Sequence, residues 1–307
     1  ESRIALVIGN AGYATARLAN PRNDADLMAR TLKAVGFEVI VRNDADMAGM
    51  RAAFIDFSRR LKRTDSVGVF YYAGHGVQTD RGAYLLPVDI EGDTQSQVEK
   101  MSYPVNVLFE ELDRMKARVS VVIVDACRDN PLRVRGKTIG AARGLSGPDV
   151  AKGQMAIFSA GRNQKALDAL NATDKNPNGV FTRELVKRMR EQGQSLKALA
   201  ESVRDSVESL AQTVKHEQRP LVVSDLVGDF YLYPGAGSTT VAKAAAPAAP
   251  AMDDASREDR FWEDAKGADN VEGYEAYLGT YPNGRYRGLA RAHISRWLGG
   301  KMEFLKA

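Results

Sequence analysis

One cysteine and three histidines occur in 307 residues. A single thiol excludes an internal disulfide framework and any metal site built from several thiolates. Long hydrophobic runs are missing too: none approaches the roughly 18 residues that a membrane-spanning helix needs. Charge of one sign is also lacking. The 43 basic residues are nearly balanced by 39 acidic ones, for a net +4, and they are scattered rather than clustered. That argues against nucleic acid or a polybasic attachment to membranes. The apolar fraction of 44% and charged fraction of 27% are those of soluble globular proteins. The length suits one large domain plus a small one.

The apolar residues are grouped in short continuous runs. Ile4-Ala5-Leu6-Val7-Ile8, Val67-Gly68-Val69-Phe70-Tyr71-Tyr72 and Val121-Val122-Ile123-Val124 read as strands buried on both faces. Between them lie stretches with helical spacing, such as Ala25, Leu27, Met28, Leu32 and Val35 over 21–35, and Met50, Phe54, Phe57 and Leu61 over 48–61. Further strands are expected over 37–41, 84–86, 154–159, 220–223 and 230–232, and helices over 105–115, 179–191 and 195–210. Strands alternating with helices predict an α/β fold, a mostly parallel sheet sandwiched by helices. Right-handed crossovers then bring the strand C-termini to one edge, where ligands bind in such folds.

Two runs end in chemistry. One leads into Ala73-Gly74-His75-Gly76, the other into Asp125-Ala126-Cys127-Arg128. A lone cysteine is often an inert core residue, but a thiol delivered at a strand end beside charged groups fits a nucleophile. A thiolate attacks carbonyls far better than a thiol, and an adjacent imidazole both takes its proton and later protonates the leaving amine. His216 lies in the polar stretch Lys215-His216-Glu217-Gln218 and His293 in the C-terminal region, so His75 is the candidate base. The N–H groups of Gly76 and Cys127 are the candidate oxyanion donors.

Tyr71-Tyr72-Ala73-Gly74-His75-Gly76 and Val124-Asp125-Ala126-Cys127, in this order and at this interval, resemble the two catalytic motifs of the caspase-like clan of cysteine peptidases. The resemblance covers about residues 1–233. It is strongest to the metacaspases and their bacterial relatives, which cleave after Arg or Lys. It implies that Asp125, two positions before the cysteine, and Asp24, in the pair Asn23-Asp24, bind the basic side chain of the substrate. It also makes Ser159 and Ala160 walls of that pocket. Many metacaspases carry a dense acidic cluster for calcium after the histidine motif. Here Val77-Gln78-Thr79-Asp80-Arg81-Gly82-Ala83-Tyr84 holds one acid and one base, so no metal and no other cofactor is expected.

The stretch 128–153 carries Arg133, Arg135, Lys137 and Arg143 among glycines, a candidate for self-cleavage by an enzyme of basic specificity, or simply a basic polar loop. The peptidase-like region is expected to span 1–234. An Ala/Pro-rich linker follows over 235–255. Residues 256–307 hold apolar stripes (Phe261, Trp262, Ala265; Tyr274, Tyr277, Leu278; Tyr286, Leu289, Ala290, Ile294, Trp297) and read as a tetratricopeptide-like helical unit able to contact a protein partner, or as a stabilising cap. The rival to an active peptidase is a catalytically silent scaffold on the same fold; ligation at the same dyad is a third option. Linker and tail suggest a bacterial source. The start at Glu1 without a methionine sets the expectation of a removed leader and a periplasmic or secreted protein, with a cytoplasmic one as the alternative.

Overall fold

The computed structural model describes residues 1–61, 65–79, 81–92, 94–127, 133–134, 137–138, 150–161, 164–233, 258–259, 262–263, 265–266 and 271–304. The chain forms two compact units, Glu1–Thr240 and Val241–Ala307.

The first unit is built on a sheet in the order β10-β9-β6-β3-β1-β2. Its strands are β1 (Ser2–Gly9), β2 (Glu38–Asn43), β3 (Ser66–Thr79), β6 (Val119–Cys127), β9 (Gln154–Phe158) and β10 (Leu221–Ser224). All neighbouring pairs are parallel except β9 with β10. Two short strands, β4 (Gly82–Leu85) and β5 (Tyr103–Pro104), extend the sheet from the far end of β3. A two-stranded ladder, β7 (Arg133–Val134) with β8 (Lys137–Thr138), stands apart from it.

Alternation along the strands divides the core in two. Val69, Tyr71, Ala73, Val121 and Ile123 face one way and pack under α1 (Pro21–Ala34), α5 (Val180–Met189) and α6 (Leu196–Thr213). Phe70, Tyr72, Val122 and Val124 face the other way, under α2 (Met47–Arg60) and α4 (Val105–Met115). Each buried Val, Ile or Phe among them contributes about 1.5–3 kcal/mol. The helices start where local chemistry allows. Pro21 opens α1, Asp46 caps α2 by accepting from the Gly49 N–H at 2.6 Å, and Ser195 caps α6 through the Ala198 N–H.

Three expectations need correction. β3 does not stop at Tyr72 but runs on to Thr79, because its last residues pair antiparallel with β4. A short helix, α3 (Gln95–Lys100), capped by Thr94, lies in a stretch too polar to show a helical stripe. Residues 230–232 form no strand; Tyr231 makes only an isolated bridge to Ser195.

In the second unit α7 (Val271–Thr280) and α8 (Arg287–Phe304) form a helical hairpin. Trp262 stacks on Tyr286 with ring centroids 5.0 Å apart, and Tyr274 stacks on His293 at 4.7 Å. Tyr277 donates to the buried Glu258 at 2.5 Å. Leu289 was expected in the apolar stripe but is 53% exposed, on the side of α8 away from this cluster. Phe261 and the Trp297 side chain lie outside the described residues.

Candidate active site

β3 and β6 are neighbours at the centre of the sheet, and their register pairs His75 with Cys127. Register partners on adjacent strands share a face. His75 belongs to the alternate set that continues Tyr71 and Ala73 on β3, the set covered by α1 and α5, and Asp125 on β6 is in register with Ala73 of that set. The sheet therefore brings the candidate base and nucleophile to adjacent positions, where the parallel pairing of β3 with β6 ends. The Cys127 side chain lies outside the described residues.

His75 is fixed from three directions. Its Nε2 sits 2.7 Å from the Ala16 carbonyl oxygen, so Nε2 is the protonated nitrogen and Nδ1 keeps its lone pair. Its backbone N–H donates to the Tyr13 hydroxyl at 2.9 Å, and its carbonyl accepts from the Tyr72 hydroxyl at 2.7 Å. The Tyr13 ring lies against the imidazole at 4.6 Å between centroids. Gly74 makes room for this arrangement: a Cβ there would meet the Tyr72 and Tyr13 hydroxyls at 2.7 and 2.8 Å. The loop that delivers Tyr13 and Ala16 is held by Asp44, which accepts from the N–H groups of Ala11 and Gly12 and pairs with Arg22. Burial lowers the His75 pKa, against the opposing pull of the Ala16 carbonyl and of Asp168. The ring is thereby kept neutral and able to accept a proton.

Beside His75 opens a cavity of about 230 Å³ lined by Asp24, Asp125, Asp168, Lys165, Gly74 and Gly179, among others. Asp24 projects from α1 and is 3% exposed. Its Oδ1 accepts from Asn178 Nδ2 at 2.9 Å and from the Gly179 N–H at 3.0 Å. The Oδ2 of Asp125 accepts from Thr182 Oγ1 at 2.7 Å. Both carboxyls border Gly179, where a Cβ would stand 3.3 Å from Asp24 Oδ2 and 3.7 Å from Asp125 Oδ2. Both are pushed well above the ordinary carboxylate range. For Asp24 the causes are burial, then repulsion from Asp125; for Asp125 burial dominates and Asp168 adds to it. A cation entering this cavity would relieve both effects at once.

The remaining expected residues fall nearby or outside. Ser159 is fully buried at the end of β9, and its Oγ lies close enough to Asp125 to lower that pKa without making a hydrogen bond of standard geometry. Ala160 is buried next to it, and neither of the two lines the cavity. Gly76 follows His75 in β3, in register with Leu85 of β4. Arg135 and Arg143 lie outside the described residues; Arg133 and Lys137 are described only as backbone in the β7–β8 ladder.

Several contributors escaped the sequence reading. Ala16 acts through its carbonyl. Asp168, raised by burial and lowered by His75, is a third acid of the cavity. Asn20 gives up capping α1 to donate to the Asp168 carbonyl at 2.9 Å. Gln218, 1% exposed, donates to the Ser159 carbonyl and accepts from the Leu167 N–H, each at 2.9 Å, bracing the loop that carries Asp168. The pair Asn20-Pro21 before a helix was the one signal available for any of them.

A segment of 129 residues, 42% of the chain, is 28% identical to human mucosa-associated lymphoid tissue lymphoma translocation protein 1 and spans 15% of that protein. The model of the caspase domain matches residues 2–231, from the first strand to beyond the last. The chain belongs to the caspase domain family of cysteine peptidase-like hydrolases.

Proposed function

We propose that the protein is a cysteine endopeptidase that cleaves after Arg or Lys, in the manner of the metacaspases. One observation carries this reading: the pairing of His75 with Cys127 beside a cavity lined by Asp24, Asp125 and Asp168. His75 Nδ1 takes the proton from Cys127 Sγ, and the thiolate adds to the scissile carbonyl carbon. The N–H groups of Gly76 and Cys127 hold the resulting oxyanion. The imidazolium then gives its proton to the leaving amine as the C–N bond breaks, leaving a thioester. Water, deprotonated by His75, releases the acid product and regenerates the thiol. Buried carboxylates provide charge and hydrogen-bond acceptors for a guanidinium or ammonium in the cavity.

In this reading the reaction requires no calcium, and Arg133, Arg135, Lys137 or Arg143 is a self-cleavage point. The helical unit has a separate role in protein contacts. Fluorogenic peptides with Arg, Lys, Asp or citrulline before the scissile bond test the central claim. Turnover of the Arg and Lys peptides, lost in Cys127→Ala, is expected. Turnover of the Asp peptide instead, or none by the wild type, overturns it. Nicking of Cys127→Ala protein within 128–153 as fast as wild type would reject self-cleavage.

A further inference from the structure

One turn of helix touches both pocket acids. Asn178 and Gly179, at the entrance to α5, donate to Asp24, and Thr182, one turn in, donates to Asp125. Thr182 is fully buried, and its hydroxyl also sits 2.6 Å from the Tyr71 hydroxyl, which is buried under the same helix. A hydroxyl has one proton to donate. With that proton on Asp125 Oδ2, Thr182 accepts from Tyr71, and a directed relay runs from Tyr71 through Thr182 to Asp125. On the other side Asn178 and Gly179 both occupy Oδ1 of Asp24. The relay and the paired donors thus fix the rotation of each carboxyl about its Cβ–Cγ bond, with Gly179 leaving the space between the acids open.

We propose that Asn178 and Thr182 are positioning residues for specificity: they set the orientation of Asp24 and Asp125, and with it the preference for a basic side chain, without taking part in bond making. This rests on the reading of the cavity as the pocket for the basic residue. The frame acts on the bound side chain and not on the bonds that change, so its loss appears in KM for cationic substrates and leaves kcat nearly unchanged.

The test uses the full chain and paired peptides that differ only in Arg or citrulline, its uncharged isostere, before the scissile bond. In wild type the Arg peptide is favoured; absence of that preference removes the pocket reading itself, and this inference with it. Thr182→Val, close in shape and without the hydroxyl, is expected to reduce the Arg-to-citrulline ratio of kcat/KM at least tenfold, through KM of the Arg peptide. Thr182→Ser, which restores the hydroxyl, recovers the ratio to within about threefold. Asn178→Ala reads the Asp24 side and gives a smaller loss in the same direction, and it stands in should Thr182→Val fail to fold. An unchanged ratio in a folded Thr182→Val or Asn178→Ala variant overturns the proposal. So does a loss that appears in kcat equally for both peptides.

Discussion

The two faces of the central sheet are made by the same strands, yet they end differently. Beneath α2 and α4 the alternate residues Phe70, Tyr72, Val122 and Val124 meet Phe54, Phe57 and Leu108 in an apolar layer. Beneath α1 and α5 the other set begins as apolar, with Val69, Tyr71, Val121 and Ile123, and then changes to Asp125 and His75, joined by Asp24 and Thr182 from the helices. One face holds the domain together along its whole length. The other gives up apolar burial at the strand ends, and the carboxyls it buries instead are held away from their preferred charge state. The difference separates stability from chemistry on the two sides of the same strands.

Substitutions should keep these roles apart. The largest effect is expected at the dyad: His75→Ala loses at least about 10²-fold in kcat with only a modest fall in thermal midpoint from the lost contacts to Ala16 and Tyr13, since acid–base catalysis is worth about 10²–10⁴. Steady-state kinetics and a melt of the same sample check both halves. On the opposite face Phe57→Ala should cost about 3–5 kcal/mol in a urea titration while the folded fraction keeps its kcat. A fall in kcat there would erase the distinction between the faces. Asp125→Asn should lower the Arg-to-citrulline preference about 10- to 100-fold, the worth of a charged hydrogen bond, and leave the citrulline peptide unaffected.

The buried acids also give a pH signature. Because folding raises the pKa of Asp24 and Asp125, the folded chain retains protons that the unfolded chain has released. Their contribution to stability is therefore neutral below the ordinary carboxylate pKa of about 3.9 and becomes unfavourable as pH rises through the raised values. Asp24→Asn should stabilise the protein by up to a few kcal/mol near neutral pH, a gain that vanishes towards pH 4. Denaturant titrations across that range measure it, and a gain largest at acid pH would contradict the account. The smallest effect expected is none: a calcium chelator leaves turnover of the Arg peptide unchanged.

Most of the sheet could be read in advance because parallel strands buried on both faces leave unbroken apolar runs, as in Val121-Val122-Ile123-Val124. His75 and Cys127 stood out as candidates because each comes shortly after such a run. The extension of β3 was hidden because Gly74 and Gly76 look like the end of a strand; the partner of residues 76–79, β4, is set by a hairpin and not by periodicity. Ala16 could not be found, since a carbonyl acting on His75 leaves no trace in residue type. Asp168 sits in a polar segment without any repeat, and only folding reveals that Asn20 and Gln218 hold that segment against the site. Ser159 was placed near the pocket by resemblance, whereas the donor to Asp125, Thr182, lies on a helix whose stripe reads as core.

The most direct test labels the nucleophile and the pocket together. Matched peptidyl chloromethyl ketones ending in Arg or Asp are incubated with the wild type and with His75→Ala, and the intact mass and modified residue are determined. The account predicts one adduct, on Cys127, formed rapidly from the Arg reagent, slowly from the Asp reagent, and much more slowly from either in His75→Ala. Equal labelling by the two reagents, or an unmodified Cys127 in the wild type, would contradict it.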